Sequence, residues 1–176
     1  PSLPGSCRRA PAPHPGFDPP DVVVNGSSSL TLMHDLVCHA YTHGIGGNKP
    51  WCQQGRVKFL CPSPGYDRHF KVSAHYGLEN VPVPMLDDGP DMDMVMRLVE
   101  SDPAVKGIWC VPKYANPTGI TYSDDVVRTF ANLHPAAPDF RIFWDNAYAV
   151  HTFADEDAEL LNIFDALAEA GQTDLV

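Results

Sequence analysis

The chain has 176 residues, of which 44% are hydrophobic and 19% are charged, and this balance is typical of a globular protein with a substantial core. Twenty-two acidic residues against twelve basic ones give a formal net charge of −10, which argues against a nucleic-acid partner. No apolar run approaches the roughly 20 residues that span a bilayer, and no signal-peptide pattern opens the chain, so we expect a soluble, cytoplasmic protein without a membrane contact.

The first 16 residues differ in composition from the rest. Seven prolines fall within residues 1–20, together with Arg8 and Arg9, and such a stretch sustains neither a helix nor a central strand. We interpret residues 1–16 as a proline-rich disordered tail or a remnant of cloning, and residues 17–176 as a folded domain.

From Asp21 onward, short apolar runs alternate with amphipathic stretches. The alternation predicts an α/β fold with a mostly parallel sheet and helices on both of its faces. Pro82 and Pro84 favour an edge position for the third strand. The apolar runs predict strands at residues 22–24, 57–61, 81–85, 107–111 and 140–144, with one more beginning at 173–176. The amphipathic stretches predict helices after the serines at 27–29 and at residues 66–76, 91–100, 123–134 and 156–170.

Polar clusters directly follow two of the predicted strands. Asn116 lies in an Asn-Pro-Thr-Gly stretch after strand 107–111, and Asp145 and Tyr148 follow strand 140–144. Ligands of such sheets bind beyond the carboxyl ends of the strands, so we expect these side chains to line one crevice. The Asp145 carboxylate should be partly buried there, which is costly unless a cationic or proton-bearing partner lies beside it.

Three consecutive serines, Ser27, Ser28 and Ser29, precede the first long helix. A helix N-terminus presents free N–H groups and about half a positive charge, so this segment is suited to hold an anion. An ordinary capped helix is the alternative. Neither a G-x-G-x-x-G fingerprint nor a Walker loop is present, so a phosphate-bearing ligand other than a nucleotide is expected.

Taken in order along the chain, these motifs resemble those of the fold type I pyridoxal-phosphate (PLP) enzymes, specifically the class I/II aminotransferases. The resemblance rests on Asn116-Pro117-Thr118-Gly119, on Asp145-x-Ala147-Tyr148 and on the serine segment, and it covers about residues 21–176. The run from Asp145 to His151 is most similar to a bacterial subgroup of aspartate-aminotransferase-like proteins. Residues 17–176 would then be a partial PLP-binding large domain.

The resemblance implies a role for each candidate site residue. Asp145 would pair with the pyridine nitrogen of PLP and hold it protonated, and His69 would stand behind Asp145. Tyr66 would stack on the cofactor ring. Asn116 and Tyr148 would donate hydrogen bonds to the phenolic oxygen of the ring, and the serine segment would form the phosphate cup.

Each of these residues also has an ordinary explanation when it is taken alone. Asp145 can cap a helix or a turn, and Asn116 followed by proline is a common turn. Tyr66 can belong to the core, and His69 can be a surface histidine.

The sequence predicts no metal site. His39 and His43 have the i,i+4 spacing of a metal-binding pair, but no carboxylate joins that face of the helix. The five cysteines are scattered and lack C-x-x-C spacing, which argues against a zinc site and against a disulfide scaffold.

One part of the expected active site is missing. In this family a lysine that forms a Schiff base with PLP should lie one strand beyond Tyr148, and the sequence has no lysine after Lys113. Lys113 is close to Asn116, but the family pattern places the Schiff-base lysine elsewhere. The carboxylate-binding arginine of the small domain is missing as well. We therefore expect a chain truncated before that lysine and the small domain, without a catalytic residue and inactive alone.

Three functions are compatible with this reading of the motifs. The preferred one is a fragment of an aminotransferase, with a homodimeric parent that moves an amino group between an amino acid, aspartate or another acidic one, and a 2-oxo acid. A lyase or decarboxylase on the same scaffold is an alternative, because the cofactor site does not determine which Cα bond breaks. The other alternative is a non-catalytic regulatory or dimerisation module.

Overall fold

A computed structural model describes residues 25–151 and 159–176 of the chain. The tail at 1–16, the predicted strand at 22–24 and the predicted helical residues 156–158 lie outside this description. The strands are β1 (Lys58–Ser63), β2 (Glu79–Leu86), β3 (Gly89–Pro90), β4 (Val105–Cys110) and β5 (Arg141–Trp144). The helices are α1 (Ser29–His43), α2 (Asp67–His75), α3 (Met92–Ser101), α4 (Asp124–Ala131) and α5 (Ile163–Ala170), with a short 3₁₀ turn at Trp51–Gln53.

The five strands form one sheet in the order β3-β2-β1-β4-β5. All neighbours pair in parallel except β2 and β3, which are antiparallel. From β1 the chain moves outward to β2 and β3, and it then returns to the other side of β1 to form β4 and β5. The direction of travel therefore reverses between β1 and β4, and such a switch point opens a crevice at the carboxyl ends of the two strands.

Helices cover both faces of the sheet, which confirms the predicted α/β architecture. On one face α1 and α2 pack their apolar sides against alternate residues of β1, β4 and β5, because successive side chains of a strand point to opposite faces. This core includes Met33, Val37, Ala40, Phe59, Val72, Trp109 and Phe143. The opposite core includes Leu60, Val95, Val99, Ile108, Val127, Phe130, Ile142 and Leu167 and is covered by α3, α4 and α5.

The starts of three helices follow from local capping. The side chains of Ser28, Asp91 and Ser123 each accept a hydrogen bond from a backbone N–H of the first turn, which satisfies a donor that has no partner within the helix. The described residues contain no helix with the length and apolarity needed to cross a membrane.

The last helix is shorter than predicted. It begins at Ile163 and not near residue 156, because the side chain of Asn162 accepts a hydrogen bond from Phe164 N and caps the helix there. Ile163 and Leu167 are its buried residues, together with Ala166, whereas Leu160 and Leu161 pack against the core from the segment before the helix. The helix-like spacing of Leu160 and Leu161 therefore led to a predicted helix that starts too early.

The predicted strand at 173–176 is not formed as a strand in the described chain. Leu175 is nevertheless buried, and its carbonyl accepts a hydrogen bond of 2.6 Å from Ile142 N in β5.

A buried polar network closes the amino end of the sheet. Lys106 is an extra residue in β4, since Lys58 pairs with Val105 and Phe59 pairs with Gly107, and such a bulge re-aims its side chain. The Lys106 ammonium lies 2.6 Å from Asp139 Oδ1.

Two further donors complete this network, because Trp51 Nε1 and Gln54 Nε2 both donate to Asp139 Oδ2, over 3.1 and 2.8 Å. Burial opposes ionisation of Asp139, but the hydrogen bonds from Lys106 and Gln54 outweigh it and hold the pKa of the carboxyl below its usual 3.8.

Candidate active site at the carboxyl edge of the sheet

A shallow cleft opens at the predicted position, beyond the carboxyl ends of β1 and β4. Three predicted site residues line it, namely Tyr66 and His69 from the segment after β1 and Asn116 from the loop after β4. Asp145 and Tyr148 are not part of this lining. The switch point between β1 and β4 therefore brings together side chains that are about 50 residues apart in the sequence.

Asp145 joins the cleft through His69. The Asp145 side chain is only 6% exposed, and its Oδ2 lies 3.0 Å from Nε2 of His69, which is 1% exposed. Among residues 25–151 and 159–176, no donor reaches the other oxygen, Oδ1. Because every fully buried side-chain oxygen or nitrogen in that part of the chain has a partner, Oδ1 keeps some contact with solvent. Half of the hydrogen-bonding capacity of this carboxylate is therefore open.

Aromatic rings hold His69 in place on two sides. The indole of Trp109 stacks on the imidazole, with ring centroids 4.8 Å apart and planes inclined by 21°. Tyr66 meets the same imidazole edge-on, with centroids 4.9 Å apart. His69 is thus a buried residue whose imidazole contacts the Asp145 carboxylate. It is not the surface histidine that its sequence context alone allowed.

Gly65 determines how closely the chain can turn ahead of Tyr66. A Cβ atom at this position would collide with the carbonyl oxygen of Pro62 and with the ring of Phe70. A glycine is therefore required for the turn that delivers Tyr66 from the end of β1 to the start of α2.

Asn116 lies at the tip of a loop that is tied at its base. Tyr122 N donates to Pro112 O over 2.8 Å, and Ala115 N donates to Ile120 O over 2.7 Å. The Asn116 side chain is exposed on the cleft, and its amide makes no hydrogen bond with the described residues. A loop with internal backbone hydrogen bonds thus presents an uncommitted amide.

Tyr148 lies in two consecutive turns after β5. Ala149 N donates to Asn146 O over 3.1 Å, and His151 N donates to Tyr148 O over 3.0 Å. The phenol ring is half-buried and meets the ring of His151 at 5.5 Å, and its hydroxyl has no hydrogen-bond partner among the described residues. We refer to residues 146–151 as the Tyr148 turn.

The three serines stand apart from the cleft lining. Ser28 Oγ accepts a hydrogen bond of 3.3 Å from Thr31 N and so caps α1, which is the ordinary role left open for it. Ser27 is exposed and Ser29 half-buried. Their helix packs against α2, the helix that carries His69, and the hydroxyl of Tyr76, the residue that follows α2, lies 3.0 Å from Nε2 of His34 in α1.

Two aromatic residues of the site were not among the predicted cofactor ligands. Trp109 occupies a core position of β4 and contributes its indole face to both the core and the cleft. Tyr122 lines the cleft from below and is buried against Phe130 and Trp144. Burial, together with the neighbouring Cys110 thiol, raises the pKa of the Tyr122 phenol well above its usual 10, so this hydroxyl stays protonated.

No metal-binding group of three or more histidine, cysteine, aspartate or glutamate side chains is present in the described chain. His39 and His43 stack on each other with ring centroids 5.0 Å apart and nearly parallel planes.

Comparisons with known proteins match this chain and its fold to one family. A family model described as aspartate aminotransferase matches residues 12–176. An aspartate aminotransferase of Corynebacterium glutamicum is 48% identical over 143 residues, which are 81% of this chain and 33% of that protein.

Solved structures show the same relation. The crystal structure of an aspartate transaminase from C. glutamicum matches with a TM-score of 0.79 at 47% identity, covering 83% of this chain and 34% of the other. Cystalysin from Treponema denticola, a structure that contains PLP, shares the fold with a TM-score of 0.64 at 14% identity and covers 88% and 36% of the two chains.

The chain spans about a third of the length of the relatives that it matches. Since the family model accounts for nearly all of its residues, the chain belongs to the aspartate aminotransferase family, a PLP-dependent family of fold type I.

Proposed function

We propose that this chain forms one wall of the cofactor site of an aminotransferase, which moves an amino group between aspartate or another acidic amino acid and a 2-oxo acid. Its similarity to an aspartate aminotransferase at 48% identity supports the substrate class. The proposal is carried by one observation, the buried carboxylate of Asp145 with one oxygen engaged and the other open.

The chemistry of Asp145 fits a protonated ring nitrogen. A buried carboxylate is stable only when it is paired, and an N–H⁺ group placed at Oδ1 would supply both the missing hydrogen bond and the opposite charge. In return, the carboxylate would keep the proton on the ring nitrogen. PLP bound in this way supplies an electron sink for the carbanion formed at the substrate Cα.

His69 would fix the orientation of Asp145. An ionised carboxylate only accepts hydrogen bonds, so the 3.0 Å contact requires a proton on His69 Nε2. Trp109 and Tyr66 prevent the imidazole from turning away. Oδ2 is therefore held, and Oδ1 would remain for the ligand.

Three further groups would complete the contacts to the ring. The Asn116 amide and the Tyr148 hydroxyl can each donate a hydrogen bond, and both are free of other partners in the described residues, so they suit the phenolic oxygen of the cofactor. The half-buried ring of Tyr66 offers an apolar face for stacking.

The N-terminus of α1 would bind the phosphate. The first backbone N–H groups of this 15-residue helix and the hydroxyls of Ser27 and Ser29 are available for an anion, while Ser28 serves as the cap. We propose this assignment from the chemistry of a helix N-terminus and from the family resemblance.

The proposal assigns no Schiff-base lysine to this chain. All five lysines lie in the described residues, and none lines the cleft. Lys106 pairs with Asp139 at the opposite edge of the sheet, and the Lys113 ammonium donates to backbone carbonyls. We therefore propose that the 176 residues alone bind the cofactor reversibly and do not transaminate.

The first test is cofactor binding by this chain. Quenching of tryptophan fluorescence by PLP should be saturable, should be reversed by dialysis, and should be much weaker for pyridoxal without the phosphate or for the variant Asp145→Ala. Borohydride treatment should leave Lys113 unmodified. Absence of saturable binding would overturn the proposed site, and a reduced adduct on Lys113 would overturn its assignment as a non-catalytic lysine.

The second test concerns the reaction. In a full-length enzyme that contains this segment, aspartate and a 2-oxo acid should exchange the amino group in a PLP-dependent manner. Release of ammonia or CO₂ in place of that exchange would favour a lyase or a decarboxylase, and PLP binding without any reaction would favour a regulatory module. Homodimeric state and cytoplasmic location remain predictions, to be checked by light scattering and by cell fractionation.

A further inference from the structure

A second buried lysine connects the two loops that carry the proposed cofactor ligands. The Lys113 side chain is 8% exposed, although it lies in a loop, and its Nζ donates to His151 O over 2.9 Å and reaches Ala149 O at 3.5 Å. Its own loop carries Asn116 three residues later, and the two carbonyls belong to the Tyr148 turn. One ammonium group therefore bridges the loop after β4 and the turn after β5.

The Tyr148 turn and Lys113 use different carbonyls as acceptors. The two consecutive turns use the carbonyls of Asn146 and Tyr148, whereas the Lys113 ammonium contacts those of Ala149 and His151. A cation beside backbone carbonyls opposes their partial negative charge. Lys113 thus adds contacts to the turn from another loop.

The bases of the two loops are already fixed to each other. Cys110 of β4 pairs with Trp144 of β5, and Asp145 N donates to Cys110 O over 2.8 Å. A single attachment of this kind still allows each loop to tilt about its base. The Lys113 bridge adds a second attachment several residues further out, and two attachments determine an orientation.

The backbone bends sharply directly after Lys113. Tyr114 adopts a left-handed conformation with φ of 49°, which is uncommon for a residue other than glycine. The Lys113 ammonium lies 5.2 Å from the centroid of the Tyr114 ring. Val111, Ala115 and Asn116 of the same loop line the cleft, whereas Lys113 does not line it and contacts carbonyls of the turn after β5.

We propose that Lys113 is a positioning residue, which sets the distance between the Asn116 amide and the Tyr148 phenol so that both reach the same oxygen of the cofactor ring. This inference rests on the proposed function for the identity of the ligand. The clasp itself, defined as the bonds from Lys113 Nζ to Ala149 O and His151 O, can be tested without a ligand.

The ligand-free test is amide hydrogen exchange in the Tyr148 turn. Lys113→Met keeps the length and the apolar stem of the side chain but removes all its donors, so exchange of the Ala149 and His151 amides should accelerate about tenfold relative to the globally protected amides of β4. Lys113→Arg should restore most of the protection. Unchanged local exchange in Lys113→Met would show that no clasp exists.

The ligand test separates positioning from general destabilisation. Lys113→Met should weaken PLP binding about tenfold, but it should not change the affinity for a cofactor analogue that lacks the phenolic hydroxyl, because the lost contacts involve that oxygen. Lys106→Met is the matched control, since it removes a similarly buried lysine from the other edge of the sheet. It should lower stability without changing either affinity of the folded protein.

The outcomes distinguish the two proposals. If the wild-type chain fails to bind PLP, the proposed function fails, and the exchange experiment still decides whether the clasp exists. If the chain binds PLP and Lys113→Met weakens PLP and the analogue equally, or weakens neither, the positioning role is wrong.

Discussion

Strand β5 has a buried aspartate at each end, and the two carboxylates have opposite surroundings. Asp139 precedes the strand, is 1% exposed and receives hydrogen bonds from Lys106, Trp51 and Gln54 on both of its oxygens. Asp145 follows the strand, is 6% exposed and is engaged by His69 on one oxygen alone among the described residues. A fully satisfied buried carboxylate serves the fold, whereas a half-satisfied one at the carboxyl edge is available to a ligand.

The largest expected effect concerns Asp145. In a full-length enzyme that contains this segment, Asp145→Ala should reduce turnover by orders of magnitude, because the ring nitrogen loses the charge that keeps it protonated. The measurement is kcat for transamination at saturating PLP, with circular dichroism to verify the fold. Asp139→Asn is the matched variant, and its kcat per folded molecule should stay near that of the wild type. Equal losses in the two variants would abolish the contrast between the two aspartates.

The next largest effect concerns the stability contributed by Lys106 and Asp139 at the amino end of the sheet. Lys106→Met should lower the free energy of unfolding by about 3–5 kcal/mol, since it leaves the Asp139 carboxylate buried without its cation. Trp51 and Gln54 continue to donate to that carboxylate, which favours the lower end of this range. Urea denaturation followed by tryptophan fluorescence measures the change.

A double variant tests the reason for that loss. Lys106→Met combined with Asp139→Asn removes both charges, so most of the lost stability should return. A double variant as unstable as Lys106→Met alone would mean that packing of the lysine stem, and not an unpaired charge, is responsible.

Much of the fold follows from local sequence. Four of the predicted strands lie within two residues of the observed bounds because short β-branched and aromatic runs end at glycine, proline or polar residues, and the serines before α1 and α4 indicate helix starts by their capping chemistry. The predicted start of the last helix was wrong, and the reason is also local. Leu160 and Leu161 continue the apolar spacing of the helix toward the N-terminus, although the helix begins only after the Asn162 cap.

The buried polar network around Asp139, at the amino end of the sheet, could not be predicted, because the residues in contact are distant in sequence. Asp139 is 88 residues from Trp51 and 33 from Lys106, and nothing in the spacing of these residues relates them. The bulge that directs Lys106 depends on the pairing of β1 with β4, which exists only in the assembled sheet.

The site was predictable in part. The switch-point rule and the family resemblance indicated the region and the pairing of His69 with Asp145, which are 76 residues apart. They did not indicate Trp109, whose role depends on being stacked on His69, or the clasp made by Lys113. The assignment of Asn116, Tyr148 and the serines as cofactor ligands stays a prediction.

A smaller effect is expected from pH. The pKa of Asp139 lies below its usual 3.8 in the folded protein, so the folded state binds fewer protons than the unfolded state near that pH. The resulting stability is present above pH 3.8 and is lost as the pH falls through the lower, folded-state value. Urea midpoints measured between pH 6 and pH 3 should therefore fall less steeply for Asp139→Asn than for the wild type.

The hydrogen bond from Lys58 also lowers the pKa of Asp102. Because Asp102 is present in both the wild type and Asp139→Asn, its contribution to the pH dependence cancels when the two are compared. Parallel pH profiles of the wild type and Asp139→Asn would show that Asp139 titrates alike in the folded and unfolded states.

The smallest expected effect uses two cysteines as probes of the carboxyl edge. Burial raises the pKa of Cys61 to about 12 and also raises that of Cys110, so neither thiol is reactive near neutral pH until the strands β1 and β4 open. Cys52 is exposed and should be alkylated before either of them. Asp145→Asn keeps an acceptor for His69, so the labelling rates of the two buried thiols, measured by mass spectrometry, should stay within about threefold of the wild type. Lys106→Met should accelerate both, in proportion to the stability that it loses. If Asp145→Asn accelerated them as much, Asp145 would be a structural carboxylate like Asp139, and its open oxygen would have no bearing on a ligand.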